Sequence, residues 1–296
     1  MDEYEDWLLA GIILIILIII AIAISFYIIC YQNQNQWMEI DKLEYKPSLK
    51  IFLLAYNDKT LNKSFEMKSK YPYFEPHILK QSVYLENELL FWIMKPENLH
   101  QIDHVEWIGT LASSFQNKIP FYDFQKLTAK YNNKDIIFLG DHLGFTKFAL
   151  RATSHYLDLR TESLVTGHPH LFEILSLTVQ MLGWPNSLLH EPIQLFYFNY
   201  WILKRKWFLQ WLQVLEKVRN YWESDKIIND LLWQDANYDE KKLSNERKKE
   251  IFGVPYFTHH CFVLERLICV WANYMRIKTN FEIGCIGLFD FVPTHQ

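Results

Sequence analysis

The sequence predicts an α/β domain, a mixed sheet flanked by helices, preceded by one N-terminal transmembrane helix. Two observations lead to this class. Short apolar runs of strand length alternate with longer amphipathic runs along most of the chain, which is typical of α/β folds. One long run, residues 7–31, contains no charged residue and 11 isoleucines. As a helix it is long enough to cross a hydrocarbon core of about 30 Å.

The apolar run has the features of an uncleaved membrane anchor. It is longer than the core of a signal peptide, and the residues before it are acidic rather than basic. We divide the chain into an acidic flank (1–6), a transmembrane helix (7–31), a polar stalk (32–48) and one domain (49–296). Lysines follow the run and none precedes it, so the positive-inside rule favours a domain on the cytosolic face.

Charge and composition exclude several classes of function. The chain has 30 basic and 34 acidic residues, and a nucleic-acid-binding surface needs a basic excess on one face, so we expect no nucleic-acid partner. Aromatic residues make up 17% of the chain, which excludes a disordered protein. The sequence contains no second uncharged apolar run of this length, which excludes a polytopic transporter. The cysteines after the anchor show no CxxC spacing and are predicted to be buried free thiols.

The elements of the domain follow from local patterns. Apolar runs bounded by polar residues predict four strands, at residues 49–56, 105–111, 135–140 and 195–203. Apolar residues at helical spacing predict four helices, at residues 86–95, 171–182, 206–222 and 262–275. Because ligands of such folds bind at the carboxyl ends of the strands, we expect the site in the loops that follow the strands.

Motifs of several enzyme classes are absent from the sequence. It contains no GxGxxG, no GxxxxGK[ST], no GxSxG and no HExxH, which argues against a standard dinucleotide site, a P-loop, a serine-hydrolase elbow and a zincin. Adjacent His259 and His260 cannot both face one metal ion from a regular helix. In His168-Pro169-His170, a single functional histidine is favoured over a metal-binding pair.

Six segments, taken in chain order, carry a resemblance to one family. They are KIFLLAYND (50–58), YLE with LFWIMK (84–86 and 90–95), EWIG (106–109), KDII (134–137), FNYWILK (198–204) and FVLERLICVW (262–271). Together they cover most of residues 50–275, and the Glu-Arg-Leu helix is the most specific of the six. They resemble the glycosyltransferase-like domain of proteins that make capsular and other surface polysaccharides, a divergent member of the GT-A group.

The resemblance implies transfer of a sugar from a nucleotide-sugar donor to a glycan or surface-polysaccharide acceptor. This reaction needs groups that hold the nucleotide, neutralise the diphosphate and accept a proton from the acceptor hydroxyl. We expect catalysis by Asp141, His168 and Glu265. We expect donor binding by Tyr56, Asn57, Asp58, Tyr84, Glu86, Ser113, Ser114, Lys118, Asn199 and Arg266.

The chain departs from the family at two points. The family's His-Tyr-Arg-Arg stretch is replaced by TLASSFQNK at 110–118, and the Asp-x-Asp that binds a divalent ion in many GT-A enzymes is absent. Mn²⁺ or Mg²⁺ therefore stays an open expectation with unknown ligands. The alternative function is a catalytically inactive, membrane-anchored binding or structural protein with the same fold. A lipid-modifying enzyme has no motif to support it.

Structural roles also stay open for several candidates. Asp58 and Asp141 are of the type favoured in turns after strands. Glu86 is equally consistent with a structural ion pair to a buried arginine. Asn199 requires that its amide be satisfied, in a site or in the core.

Glu265 and Arg266 also have a structural alternative. Neighbours on one helix do not face each other, so each is expected to pair with a distant partner if its role is structural.

Overall fold

The computed structural model describes residues 11–25, 27–28, 46–79, 81–115, 123–139, 158–191, 200–238 and 243–286. Within these ranges, the strands and helices alternate as the sequence predicts. The strands are β1 (Leu49–Ala55), β2 (Phe74–Ile78), β3 (Trp107–Ala112), β4 (Ile136–Phe138), β5 (Trp201–Lys204) and β6 (Ile283–Cys285). The helices are α1 (residues 11–25), α2 (Asp58–Lys70), α3 (Glu88–Ile93), α4 (Phe124–Lys130), α5 (Leu159–Thr166), α6 (Leu171–Met181), α7 (Arg205–Ser224), α8 (Lys226–Leu232), α9 (Asn245–Phe252) and α10 (His260–Lys278).

The described strands form one mixed sheet in the order β2-β1-β3-β5-β4-β6. The pairs β1–β2, β1–β3 and β4–β6 are parallel, whereas β5 runs antiparallel to both of its neighbours. The predicted mixed sheet is therefore confirmed. From β1 the chain passes to β2 on one side, and β3 lies on the other side. The carboxyl ends of β1 and β3 thus form the switch point at which ligands bind in open α/β sheets.

Helices cover both faces of the sheet. On one face, Phe52, Ile108 and Trp201 pack with side chains of α3, α6, α7 and α10 in the larger apolar core. On the other face, Ile51 and Trp107 pack with α2 and α4 in a smaller core. This division follows the alternation of side chains along each strand.

A close approach of two strands explains one glycine of the resembled segments. A Cβ atom at Gly109 of β3 would lie 3.0 Å from the carbonyl oxygen of Trp201 and 3.1 Å from Cγ1 of Ile202, both in β5. A larger residue at this position would push the two central strands apart. Gly109 is thus required by packing in the middle of the sheet.

Most predicted elements that fall on described residues are confirmed within a few residues. For the predicted 86–95 helix, the chain first makes a 3-10 turn at Leu85–Asn87 and then α3. Only the end of the predicted 195–203 strand is described, as β5. The loop predicted directly after β1 is confirmed only as the bend at residues 56–57, because α2 begins at Asp58. The sequence patterns did not predict α2, α4, α5, α8, β2 or β6.

Of the predicted anchor, residues 11–25 and 27–28 are described, and they are helical. The remainder of 7–31, the acidic flank and residues 32–45 of the stalk lie outside the described residues. The large apolar side chains from Ile12 to Ile24 are 47% to 63% exposed. Among the described residues, no helix is both long enough and apolar enough to cross a membrane.

Candidate functional site

Polar residues follow the two strands that form the switch point. Tyr56 comes directly after β1, and Ser113 and Ser114 come directly after β3. The backbone N–H of Ser113 donates to the carbonyl of Leu54 at 2.7 Å, which holds the two strand ends together. The Ser113 hydroxyl is buried, and it has no hydrogen-bond partner in the part of the chain that the structure describes. Such a group is able to bond a ligand placed between the two strands.

A tyrosine and a glutamate meet beside this crevice. The Tyr56 hydroxyl donates to Oε1 of Glu86, in the 3-10 turn before α3, at 2.6 Å. Burial raises the pKa of Tyr56 well above its ordinary value, and the charge of the Glu86 carboxylate raises it further. The phenol is therefore neutral at physiological pH and acts as a hydrogen-bond donor.

Tyr200 brings a third segment to the same place. It directly precedes β5, whose antiparallel direction puts its beginning at the carboxyl edge of the neighbouring strands. Burial raises the pKa of Tyr200, and the carboxylates of Glu86 and Glu265 add to this effect. The charges of both carboxylates therefore act on the Tyr200 hydroxyl.

Helix α10 supplies the last pair of residues. The guanidinium of Arg266 forms an ion pair with the carboxylate of Glu265, and the arginine is buried. The expectation that these two helix neighbours would not pair with each other is wrong. The side chain of Arg266 extends toward the preceding turn of α10, where Nη1 donates to the carbonyl of Phe262 at 3.4 Å. In this conformation the guanidinium also contacts the Glu265 carboxylate. We refer to Tyr56, Glu86, Tyr200, Glu265 and Arg266 as the carboxyl-edge cluster.

Two of the expected donor-binding residues begin a helix instead. The side-chain oxygen of Asn57 accepts from the N–H of Thr60 at 3.0 Å, and the Thr60 hydroxyl in turn accepts from the N–H of Asn57, forming a capping box. Asp58 is exposed in the first turn of α2, where its negative charge interacts favourably with the helix dipole. Both side chains are thus accounted for by the start of α2.

Tyr84 lies in the helical layer rather than in the cluster. Its ring contacts Phe91 at 4.8 Å and His260 at 5.2 Å between centroids, and the guanidinium of Arg219 lies over it at 5.8 Å. Burial raises the pKa of Tyr84 to about 12. These contacts indicate a packing role.

His168 is also separate from the carboxyl-edge cluster. It is buried, its Nδ1 lies 2.8 Å from the carbonyl of Ala236, and its ring stacks on Phe262 at 4.2 Å. It forms part of the wall of a cleft between α5 and α6. The remaining expected residues, Lys118, Asp141 and Asn199, lie outside the described residues.

The expectation of Mn²⁺ or Mg²⁺ stays untested by the described residues. No group of three or more His, Cys, Asp or Glu side chains in the described ranges could hold a metal ion. Within the carboxyl-edge cluster, Glu86 binds the Tyr56 hydroxyl and Glu265 binds Arg266. The three cysteines that the structure describes after the anchor are free thiols, and Cys261 and Cys269 are buried.

The opposite edge of the sheet carries a second polar group, the amino-edge cluster, made of Asp135, Lys204, Lys206 and Glu282. The buried carboxylate of Asp135 accepts from the N–H of Glu282 at 3.0 Å and lies 3.6 Å from Nζ of Lys204 and 3.8 Å from Nζ of Lys206. This cluster joins the starts of β4 and β6 to the end of β5. It gives the KDII segment and the final lysine of FNYWILK a structural role.

Sequence reasoning missed Tyr200. It lies between Asn199, which was singled out, and Trp201, in an aromatic run that resembles part of the core. Tyr200 falls inside the predicted 195–203 strand, and its place at the carboxyl edge depends on where β5 begins and on its antiparallel direction, neither of which the sequence reveals.

Comparison with known proteins gives one structural likeness. No protein-family model matches the chain, and no curated protein matches it. The chain is similar to a solved structure described as the apo structure of WbbM, a bifunctional glycosyltransferase, with a TM-score of 0.47 and 12% identity. The likeness covers 80% of this chain and 44% of that one, so the chain spans less than half of its length. At this TM-score and identity we draw no conclusion from the likeness.

Proposed function

We propose that this protein is a membrane-anchored glycosyltransferase that transfers a sugar from a nucleotide-sugar donor to a glycan or surface-polysaccharide acceptor. The observation that carries the proposal is the convergence of Tyr56, Glu86, Tyr200 and the Glu265–Arg266 pair at the carboxyl edge of the sheet. These residues come from four of the six resembled segments, which were grouped by sequence alone. Their convergence at one edge of the sheet is therefore independent support for a common site.

The crevice between β1 and β3 is the proposed place of the nucleotide. Tyr56 and Ser113 border it from the two strand ends. The buried Ser113 hydroxyl would bond the base or ribose, and this bond would satisfy a polar atom that otherwise has no partner among the described residues. Binding at this point follows the general rule for open α/β sheets.

The sugar of the donor would lie against the carboxyl-edge cluster. One oxygen of Glu86 accepts from Tyr56, which leaves the other able to accept from a sugar hydroxyl. Because the phenols of Tyr56 and Tyr200 stay neutral, each can also bond a hydroxyl. Several such bonds would fix the anomeric carbon relative to the acceptor.

Glu265 is the proposed general base. In the transfer, the acceptor hydroxyl oxygen forms a bond to the anomeric carbon, the bond from that carbon to the diphosphate breaks, and the hydroxyl proton passes to the Glu265 carboxylate. The nucleoside diphosphate leaves with the bonding electrons. Arg266 holds the carboxylate in place through the ion pair.

The catalytically inactive binding protein is the second candidate, and two observations favour it. The guanidinium of the carboxyl-edge cluster is already bound to Glu265, and the cluster's described residues include no other cation to neutralise a diphosphate. Asn57 and Asp58 are explained by helix α2 rather than by a ligand. A protein of this kind would bind a nucleotide sugar or a glycan without turnover.

The membrane anchor is part of the proposal. The helical residues 11–25, with their exposed isoleucines, support an anchor at residues 7–31, and the flanking lysines favour a domain on the cytosolic face. Asn62, in a glycosylation sequon, is exposed on α2. In a eukaryotic cell we expect Asn62 to remain unglycosylated, and a glycan there would contradict the cytosolic orientation.

The test is nucleotide release by the full chain in detergent micelles, with a panel of UDP- and GDP-sugars, in the presence and absence of Mn²⁺. Glu265→Gln is compared with Glu282→Gln, a matched change at the amino edge. Release by the wild type that is lost only in Glu265→Gln supports the transferase. Binding of a nucleotide sugar without nucleotide release supports the inactive protein. The absence of both binding and release would overturn both candidate functions.

A further inference from the structure

A cleft of about 450 Å³ lies between α5 and α6. Its walls come from α5, from the turn between the two helices, from the first turn of α6 and from Asn237. The carboxyl-edge cluster contributes none of its walls. The residues that matter here are Arg160, Leu164, His168, His170, Phe172 and Asn237.

The cleft combines an apolar surface with separate polar groups. Leu164 is 76% exposed at its edge, and the ring of Phe172 contributes a second apolar surface. Arg160 and Asn237 supply hydrogen-bonding groups. The carboxylate of Glu173 lies 3.1 Å from Nδ1 of His170. The lining of the cleft therefore contains the cationic side chain of Arg160 and the anionic side chain of Glu173.

The backbone fixes the rim of the cleft. His170 and Asn237 both adopt left-handed conformations, with φ of 61° and 51°, which residues other than glycine rarely do. Behind the rim, His168 is held by the carbonyl of Ala236. Residues held in such conformations concentrate at binding sites, where the surrounding structure enforces them.

One turn of α10 connects the cleft to the carboxyl-edge cluster. His168, in the wall of the cleft, stacks on Phe262 with 4.2 Å between ring centroids. The carbonyl of Phe262 lies 3.4 Å from Nη1 of Arg266, which pairs with Glu265. Contacts through Phe262 and Arg266 thus link the wall of the cleft to the residue proposed as the general base.

We propose that this cleft binds the acceptor glycan and takes an uncharged sugar unit. The inference rests on the proposed function, since it is the transferase reaction that requires an acceptor beside Glu265. A sugar ring has a C–H face, which suits Leu164 and Phe172, and hydroxyl edges, which suit Arg160 and Asn237. A phosphate or carboxylate ligand would be attracted by Arg160 but repelled by Glu173.

The experiment measures binding of the full chain, in micelles, to a printed array of neutral and acidic bacterial oligosaccharides. Two variants alter the cleft, Arg160→Ala and Leu164→Ser. Their matched controls are Arg276→Ala, at the exposed end of α10, and Ile227→Ser, which is 69% exposed on α8. We expect binding to neutral glycans that falls at least about tenfold in both cleft variants and stays unchanged in both controls, with equal thermal midpoints.

Three results would overturn the proposal: no binding to any glycan on the array, binding that both cleft variants retain, or binding confined to acidic glycans. A Glu86→Gln variant separates the cleft from the donor site. It should bind the array normally and bind nucleotide sugars weakly. If glycan binding on the array depends on Arg160 but the chain binds no nucleotide sugar, the cleft is a glycan-binding site and the proposed transferase function is wrong.

Discussion

The two edges of the sheet carry polar clusters of opposite character. At the amino edge, the buried Asp135 carboxylate is satisfied by a backbone N–H and two lysines. At the carboxyl edge, the Ser113 hydroxyl is buried without a hydrogen-bond partner in the described ranges, and the charges of two carboxylates act on the Tyr200 hydroxyl. The polar groups of the amino edge are therefore bonded to one another, whereas the carboxyl edge has polar groups that can bind a ligand.

The comparison divides the segments that resemble glycosyltransferases into two groups. KDII and the end of FNYWILK hold the sheet together through Asp135 and Lys204. The segments that contain Tyr56, Glu86 and Glu265 meet at the other edge. Substitutions at the amino edge should therefore change stability, and substitutions at the carboxyl edge should change binding or turnover.

The largest expected effect is on turnover. Glu265→Gln removes the proposed base and should lower the rate of transfer by about 10²- to 10⁴-fold, the usual contribution of general base catalysis. Thermal unfolding of the same variant checks that the fold is retained. A rate within threefold or so of the wild-type rate would remove Glu265 from the chemistry.

The next effect is on stability at the amino edge. Asp135→Ala removes a buried acceptor of the Glu282 N–H and the partner of two lysines, and it should lower the free energy of unfolding by about 2–3 kcal/mol. Chemical denaturation measures this loss. Asp103→Ala is the control, because the carboxylate of Asp103 is half exposed in its ion pair with Arg205. Equal losses in the two variants would contradict the structural role of the amino edge.

A pH effect is expected at the start of α10. Burial lowers the pKa of His260 to about 3, with the charge of His259 as a smaller cause. The unfolded chain binds this proton below about pH 6.5, whereas the folded chain does not, so stability falls as the pH drops through this range. The loss should be about 2 kcal/mol between about pH 7 and about pH 5.

His260→Phe tests this assignment, because it keeps an aromatic ring among Tyr84, Trp222 and Trp233. The variant should lose less stability on acidification than the wild type does. Denaturation curves at the two pH values measure the difference, and His190→Phe, a change at an exposed histidine, serves as the control. An unchanged pH dependence in His260→Phe would show that other groups cause the acid sensitivity.

The smallest effect should have opposite signs in two measurements. Ser113→Ala removes a buried hydroxyl without a partner among the described residues, so stability should rise slightly, by less than about 1 kcal/mol. Nucleotide-sugar affinity should fall by a similar free energy. A loss of stability in this variant would indicate that the hydroxyl has a structural bond.

The sequence predicted the buried elements best. Strand β1 and helix α10 are apolar over long stretches, so their patterns predict them clearly. Helix α2 was missed because its buried residues are only Ser64 and Met67. Strand β2 contains Pro76, and β6 has three residues, which is too short for a pattern.

Most members of the carboxyl-edge cluster were singled out from the sequence. Tyr56, Glu86, Glu265 and Arg266 were all singled out, but their grouping depends on the strand order, which local patterns do not specify. The placement of Tyr200 depends on the antiparallel direction of β5. The ion pair between Glu265 and Arg266 depends on side-chain conformations rather than on helical spacing.

The most direct test compares the two edges in one binding measurement. Isothermal titration of the full chain with the panel of UDP- and GDP-sugars is repeated for Glu86→Gln at the carboxyl edge and for Lys206→Ala at the amino edge. We predict that Glu86→Gln weakens the affinity by about tenfold or more, the loss of a hydrogen bond to a charged group, and that Lys206→Ala binds as the wild type does. Wild-type affinity in Glu86→Gln, or equal weakening in both variants, would contradict the assignment of the carboxyl-edge cluster as the donor site.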